Sequence, residues 1–281
     1  MSTEIEMKAN DSTMTDTKGE ASPAFTIKEL LATFISHQVR DGERVAVGAG
    51  LHVPRAGILL AHLLRCPNVR LYVVMTFTNL VKEPRMEPFY TVYDNRPTKW
   101  AEGYILHDDF QEDPRNVSDT FVVGALQIDK FGNSNLIGVG KDYKHLEFRG
   151  PGAVGTLSMA HYVDRYYLFV QSHNKRIFVD KCDFISTVGW GQGGPDGRTK
   201  LGIPGNGPVY CITPLCVFDF EENSKRLRLR SVHPGVTVAQ VLENTGFEVI
   251  VPDHVPVTTA PTPDEIWTLR ERIDIEGMLR A

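Results

Sequence analysis

The chain has no C-x-x-C pair, no long apolar run and no basic excess. Each absence closes a class of function. The four cysteines, Cys66, Cys182, Cys211 and Cys216, have no His or Cys neighbours at zinc-ligand spacing, so no metal site is expected. Reduced, buried thiols in a reducing compartment are the expectation instead. No stretch approaches the roughly 20 apolar residues of a bilayer-spanning helix, so no membrane partner is expected. A formal net charge of −5 argues against nucleic acid as a partner. The N-terminus has no basic head followed by an apolar core, which excludes a secretory signal and points to the cytoplasm.

What is present is an ordinary globular composition, 42% hydrophobic and 23% charged over 281 residues. Residues 1–23 are polar and aperiodic and read as a disordered tail. Residues 24–281 read as a single domain. Thr26 and Glu29 form a capping box ahead of Ile27, Leu30, Leu31, Phe34 and Ile35 at helical spacing. Arg44–Gly48 reads as a buried strand running through Gly48-Ala49-Gly50 into a second helix with Pro54 in its first turn, and Val69–Met75 as the next strand. Apolar strands in β-turn-α-β order predict an open, mostly parallel mixed sheet with helices on both faces, an α/β fold.

Further strands are expected over Phe121–Ile128, Tyr167–Gln171, Arg176–Asp180, Phe184–Val188, Val209–Thr213, Cys216–Phe220 and Lys225–Val232. Gly189–Gly207 is dense in Gly and Pro and reads as a long loop of the kind that often carries function. Closing helices start at Thr237 and at Thr262, the latter with Pro263 at its first position and Glu265 completing a capping box.

In Gly124-Ala-Leu-Gln-Ile-Asp-Lys-Phe-Gly-Asn-Ser-Asn135 a strand runs into a turn at Asp129–Gly132. Gly132 suits a positive-φ position, and Asn133 and Asn135 can satisfy orphan backbone groups. By pattern alone it is a hairpin at a sheet edge, and a structural turn is favoured over a binding site.

This stretch resembles the G-A-x-Q-[IV]-D-[KR]-[FY]-G-N-x-N signature of glutaconate CoA-transferase β-type subunits, in the class I CoA-transferase family. Lys175-Arg-Ile-Phe-Val-Asp-Lys-Cys-Asp-Phe-Ile-Ser-Thr-Val-Gly189 is similar to a second word of that family. Val217–Phe220, Ser231–Thr237, Thr245–Val249 and Pro261–Glu265 follow in the family's order, so the likeness spans about residues 26–280. The resemblance implies a CoA-transferase-like fold, an α-type partner in a heterodimer or larger heteromer, and an active site at the junction of the two chains. It implies a coenzyme A thioester as substrate and no tightly bound cofactor. Substrate and CoA contacts are then expected from Gln127, Asp129, Asn133 and Asn135, from Gly152, Ala153, Val154 and Gly155, and from His173, Trp190 and Gln192.

The sequence departs from that family at the chemistry. CoA transfer needs a glutamate that attacks the thioester and carries CoA as a glutamyl thioester. The glutamate position falls near Val74, Met75 or Thr76, and no Glu, Asp or Cys occurs from Val69 to Leu80. The family's Pro-Gly-x-Gly-Gly loop is here Pro151-Gly152-Ala153-Val154-Gly155, with Val154 in place of a glycine. Relatives lacking the glutamate open β-keto rings hydrolytically or decarboxylate acyl-CoAs, and such non-transferase chemistry is the expectation. Simple CoA transfer and a non-catalytic scaffold for an active α-type partner are the alternatives.

Gly189-Trp-Gly-Gln-Gly-Gly194 matches G-x-G-x-x-G, yet Pro195-Asp-Gly follows where a dinucleotide site needs a helix. A loop covering the acyl or pantetheine end, lined by Trp190 and Gln192, is the better reading. His173 beside Lys175 and Arg176 reads either as a contact for a CoA phosphate or a substrate carboxylate, or as a solvated cationic strand edge. His233 before Pro234-Gly235 reads as a turn residue, and His161 as a satisfied core residue.

Overall fold

The computed structural model describes residues 25–73, 76–79, 84–86, 99, 101–103, 118–153 and 155–281. The expected tail over 1–23 lies outside them, as do Val74, Met75 and Val154. Helix α1 (Ile27–Ser36) begins at the capping box: Glu29 N donates to Thr26 Oγ1 at 3.2 Å, and Thr26 N donates to Glu29 Oε2 at 2.7 Å. The Glu29 carboxylate also takes Arg270 Nε and Nη2 at 2.7 and 2.9 Å. Helix α5 (Pro263–Thr268) repeats the device, its capping Glu265 meeting His37 at 2.6 Å and Arg65 at 3.1 Å. Each capping carboxylate therefore caps its own helix and ties the first helix pair to the C-terminal one. A π-helical turn, Leu269–Ile273, continues α5 and supplies Arg270.

Strand β1 (Arg44–Val47) leads through helix α2 (His52–Leu64) to β2 (Arg70–Val73), and β2 pairs antiparallel with β3 (Thr76–Asn79). Next come β4 (Thr120–Gly124), the short ladder of β5 (Gln127–Ile128) and β6 (Ser134–Asn135), and the hairpin of β7 (Gly138–Asp142) and β8 (His145–Arg149). Helix α3 (Thr156–Tyr162) carries the chain to β9 (Arg165–Phe169). Strands β10 (Pro208–Ile212), β11 (Cys216–Phe220) and β12 (Leu227–Val232) and helix α4 (Val238–Glu243) precede α5. The main sheet runs β12-β11-β10-β9-β4-β1-β2-β3. Strands β2, β1, β4, β9 and β10 are mutually parallel, with antiparallel strands at both ends.

Strand residues alternate between two cores, as the period of two requires. Val45, Val47, Leu71, Val122, Tyr167 and Phe169 pack under α1, α2 and the C-terminal helix with Ile35, Ile58, Leu60, Leu269 and Ile273. Ala46, Phe121, Val123, Tyr166 and Leu168 face the other way, against Ile128, Met159, Ala160 and Val241. The expected open mixed α/β sheet with both faces covered is what forms.

Two expected strands do not form. Arg176–Asp180 and Phe184–Val188 are irregular, each joined to the β5–β6 ladder by one bridge, Ile128 to Phe178 and Ser134 to Thr187. That ladder is two residues long on each side, so it offers these segments a single point of pairing. The expected strand Phe121–Ile128 divides at Ala125-Leu126. Its second half does not extend the sheet edge: Ile128 is fully buried in the second core, and the β5–β6 ladder lies across the sheet face.

Candidate functional site

Strand β1 stands between β2 and β4, and from that point the order runs outward both ways, through α2 to β2 on one side and from β4 to β9 and β10 on the other. This is a topological switch point, and in open α/β sheets ligands bind in the crevice outside the carboxyl ends of such strands. Registers put Val47 level with Val73 and with Val122. Among the described residues, the segments that continue past this edge are 48–51 and 123–126. Of the expected glutamate position, Val74 and Met75 lie outside the described residues and Thr76 opens β3.

Leu51 floors the crevice. A β-carbon at Gly48 would stand 3.4 Å from its Cδ1, and one at Gly124 3.4 Å from its Cδ2. Helix α2 opens here without a side-chain cap; Leu51 N and His52 N donate to Gly48 O and Gly50 O at 3.3 and 3.2 Å and Pro54 has no N–H, which leaves Val53 N as the open donor of the first turn. The glycine loop starts beside Leu126, whose Cδ1 would stand 2.6 Å from a β-carbon at Gly150, and is tied to the chain after β6 by Gly150 N and Gly152 N, which donate to Ile137 O and Leu136 O at 2.9 and 3.0 Å. Gly152 and Gly155 both have positive φ, 92° and 76°, and Gly155 starts α3. Of the expected glycine-loop residues, Gly152, Ala153 and Gly155 are half-buried.

The signature turn is a closed framework. Asp129 is 6% exposed and accepts from Phe131 N at 2.9 Å, Asn133 N at 3.1 Å and Asn133 Nδ2 at 2.8 Å. Burial raises its pKa above the usual aspartate value, against the pull of those donors. Asn133 also donates to Gly191 O at 2.7 Å and accepts from Gly189 N at 2.9 Å. Gln127 accepts from Asn135 Nδ2 at 2.7 Å and Asp183 N at 3.0 Å, and Asn135 Oδ1 takes Ile137 N at 2.8 Å. These four side chains are buried and bonded to protein groups that hold the surrounding loops. Gly132 turns at φ 71°, and Gly189 lies so close to Gly132 and Phe131 carbonyls that a side chain there would collide with them.

Trp190 and Gln192 stand at the opposite edge of the sheet. Trp190 Nε1 donates to Pro208 O at 3.3 Å, and its ring lies 6.3 Å from that of Phe220. Pro208 opens β10 and Phe220 ends the antiparallel β11, so both mark the edge where the parallel strands begin. A strand length, about 13 Å at roughly 3.3 Å per residue, separates that edge from the crevice. Gln192 is exposed there, away from the carboxyl ends of the parallel strands.

His173 is neither a solvated edge nor a free ligand. It is 9% exposed, its Nδ1 is 2.9 Å from Thr213 Oγ1 and its Nε2 is 3.1 Å from Thr245 Oγ1. Because the Thr245 hydroxyl donates to Val241 O, Nε2–H is the donor toward Thr245, while the Thr213 hydroxyl facing Nδ1 has its proton directed at Cys216 O, 3.0 Å away. Burial, reinforced by nearby His233, pushes its pKa down to about 4. His233 does open the turn, its carbonyl taking Val236 N at 3.0 Å, while its ring is buried between Thr258 Oγ1 and Thr213 O at 2.9 and 2.8 Å. His161 is half-buried and not satisfied: its Nε2 is buried without a hydrogen-bond partner.

Sequence reasoning missed Gly48–Leu51 and Gly124–Leu126, because the signal that singles them out is strand order. An open mixed sheet with a glycine-walled crevice at its switch point defines an α/β chain with one candidate ligand crevice among its described residues. The family assignment comes from comparison. The chain belongs to the coenzyme A transferase family, whose profile matches residues 109–244. It is 35% identical to the B subunit of the 3-oxoadipate CoA-transferase of Pseudomonas knackmussii, over 88% of this chain and 93% of that one. The crystal structure of glutaconate coenzyme A-transferase from Acidaminococcus fermentans superposes with a TM-score of 0.78 at 30% identity, covering 92% of this chain and 98% of that chain. The IpdB subunit of a cholesterol ring-cleaving hydrolase from Mycobacterium tuberculosis is 28% identical over 90% of this chain and 96% of that one. The chain is thus a B-type subunit of a family of two-subunit enzymes. No described helix is long and apolar enough to cross a membrane.

Proposed function

We propose that this subunit serves an acyl-CoA enzyme that makes and protonates a thioester enolate, rather than one that moves CoA between acids. One observation carries the reading. The crevice turns Gly48–Leu51, Gly124–Leu126 and Gly150–Gly155 contain only Gly, Ala, Leu, Pro and Val, and residues 69–80 contain no Asp, Glu or Cys. CoA exchange requires a carboxylate nucleophile on this chain. Enolate chemistry requires none. In hydrolytic β-keto cleavage, hydroxide adds to the β-carbonyl, the carbon–carbon bond breaks, and its electron pair moves into the thioester. In decarboxylation, carbon dioxide leaves and the pair takes the same path. Either enolate is then protonated at the α-carbon. Both need N–H donors at the thioester oxygen, a role for Val53 N in the first turn of α2 and for Ala153 N and Gly155 N in the glycine loop before α3.

An A-type subunit completes the site and supplies its proton-transferring groups, in a heterodimer or larger heteromer. Coenzyme A enters as the thioester, without a resident cofactor. A reducing cytoplasm suits four buried, free cysteines. CoA transfer is the second reading, favoured by the 35% identity to the B chain of the 3-oxoadipate enzyme. A scaffold role is the third.

Product analysis separates them. The chain is purified with its A-type subunit and given glutaconyl-CoA, 3-oxoadipyl-CoA and a cyclic β-keto acyl-CoA in heavy water, with and without acetate. Consumption of one of them that acetate changes less than about twofold, with deuterium at the product α-carbon, is expected. Acetate-dependent formation of acetyl-CoA overturns the proposal in favour of transfer, and activity of the A-type subunit alone equal to that of the pair establishes the scaffold.

A further inference from the structure

We propose that Arg198 is a positioning residue for the Gly150–Gly155 loop, acting through helix α3; this rests on the reading of the crevice given above. Arg198 is 2% exposed, and among the described residues no carboxylate pairs with it. Its guanidinium donates instead to four backbone carbonyls: Gly205 O at 2.7 Å, Val188 O at 2.8 Å, Gly189 O at 3.0 Å and Ala160 O at 2.7 Å. A buried cation without an anion is an expensive way to satisfy carbonyls, and burial lowers its pKa accordingly. A planar fork of N–H donors can, however, hold several chain segments in one fixed arrangement, which no neutral side chain does.

The segments it holds explain the choice. Ala160 is in the last turn of α3, where a cation also complements the helix dipole. Gly205 N donates to His161 O at 2.9 Å, so the same loop grips that turn twice. Val188 is fastened in turn to β9, its carbonyl taking Tyr166 Oη at 2.9 Å, and Gly189 to the signature turn through Asn133. Helix α3 is seven residues long, about 10 Å at 1.5 Å per residue. A shift of its C-terminal turn reaches the glycine loop at its other end almost undiminished, because a hydrogen-bonded helix moves as a rod. Loop 189–207, placed across the sheet from the crevice, thereby gains a task there: it is the footing of α3.

The test uses Arg198→Met and Arg198→Lys in the complex with the A-type subunit, read by amide hydrogen exchange and by turnover of the preferred acyl-CoA. Exchange in peptides covering 150–162 and 189–207 is expected to rise at least tenfold in Arg198→Met, with 26–36 unchanged. The kcat is expected to fall about 30-fold with KM within about threefold, as for a group that aligns donors rather than binds substrate. Arg198→Lys, which keeps the charge and loses the fork, is expected to behave like Arg198→Met and serves alone if that variant does not fold. Faster exchange confined to 189–207, or a change in KM alone, overturns the proposal. If the unaltered complex turns over no acyl-CoA, the functional reading fails, and the exchange data still decide the role of Arg198.

Discussion

Asp129→Ala is expected to lower the unfolding free energy by about 3–5 kcal/mol, and to do so whether or not any CoA ligand is present. The substitution strands Phe131 N, Asn133 N and Asn133 Nδ2, each of which now meets the carboxylate within 3.1 Å. A hydrogen bond to a charged acceptor contributes about 1.5–3 kcal/mol, and buried donors left unsatisfied add their desolvation cost. The sum is not additive, hence the range. Asn133 loses its anchor as well, and with it the clasp on Gly189 and Gly191. Urea unfolding of the purified chain measures the effect. Were Asp129 a ligand for substrate, the outcome would be inverted: stability within about 1 kcal/mol of the parent and loss of CoA affinity.

Acid is expected to weaken the fold through His173. The ring titrates at about 4 in the folded chain against 6.5 for an ordinary histidine. A depressed folded pKa means that the unfolded chain binds the proton first. The contribution of the neutral ring is intact above pH 6.5, erodes as pH falls from 6.5 toward 4, and is fully lost below that. At pH 5 the loss is about 2 kcal/mol, from 1.36 kcal/mol per unit of pKa difference. Denaturation curves at pH 7.5 and pH 5 for the parent and His173→Gln check this. The parent should lose about 2 kcal/mol more than the variant between the two, and equal losses would assign the acid sensitivity to other groups.

How much of this was legible in the sequence depends on the range of the interactions involved. The starts of α1 and α5 are readable because a capping box is complete within four residues, as Thr26–Glu29 and Thr262–Glu265 are. The buried strands are readable from their apolar content, and their alternation between two cores follows from it. Arg176–Asp180 carries the same β-prone composition and makes no strand, because pairing needs a neighbouring ladder and the one it meets is two residues long.

The site was legible in part. The signature words led to the family and to the glycine loop beside the crevice. On roles they say less: Gln127, Asp129, Asn133 and Asn135 look like ligands by residue type, and in the fold their side chains bond to their own loops. Trp190 and Gln192 follow closely on family words, and closeness along the chain does not say at which end of a sheet a loop comes to rest. Arg198 was invisible for the same reason: an arginine in a glycine-rich loop is usually solvated, and only the fold surrounds it with carbonyls from three segments.

The most direct measurement treats the assembled enzyme with its acyl-CoA and borohydride, then maps every acidic residue of this chain by mass spectrometry. A crevice without a nucleophile predicts that every carboxylate of this polypeptide is recovered unmodified. A glutamate reduced to its alcohol, at Glu83 or at any other acidic position, would contradict that and make this chain a covalent CoA carrier.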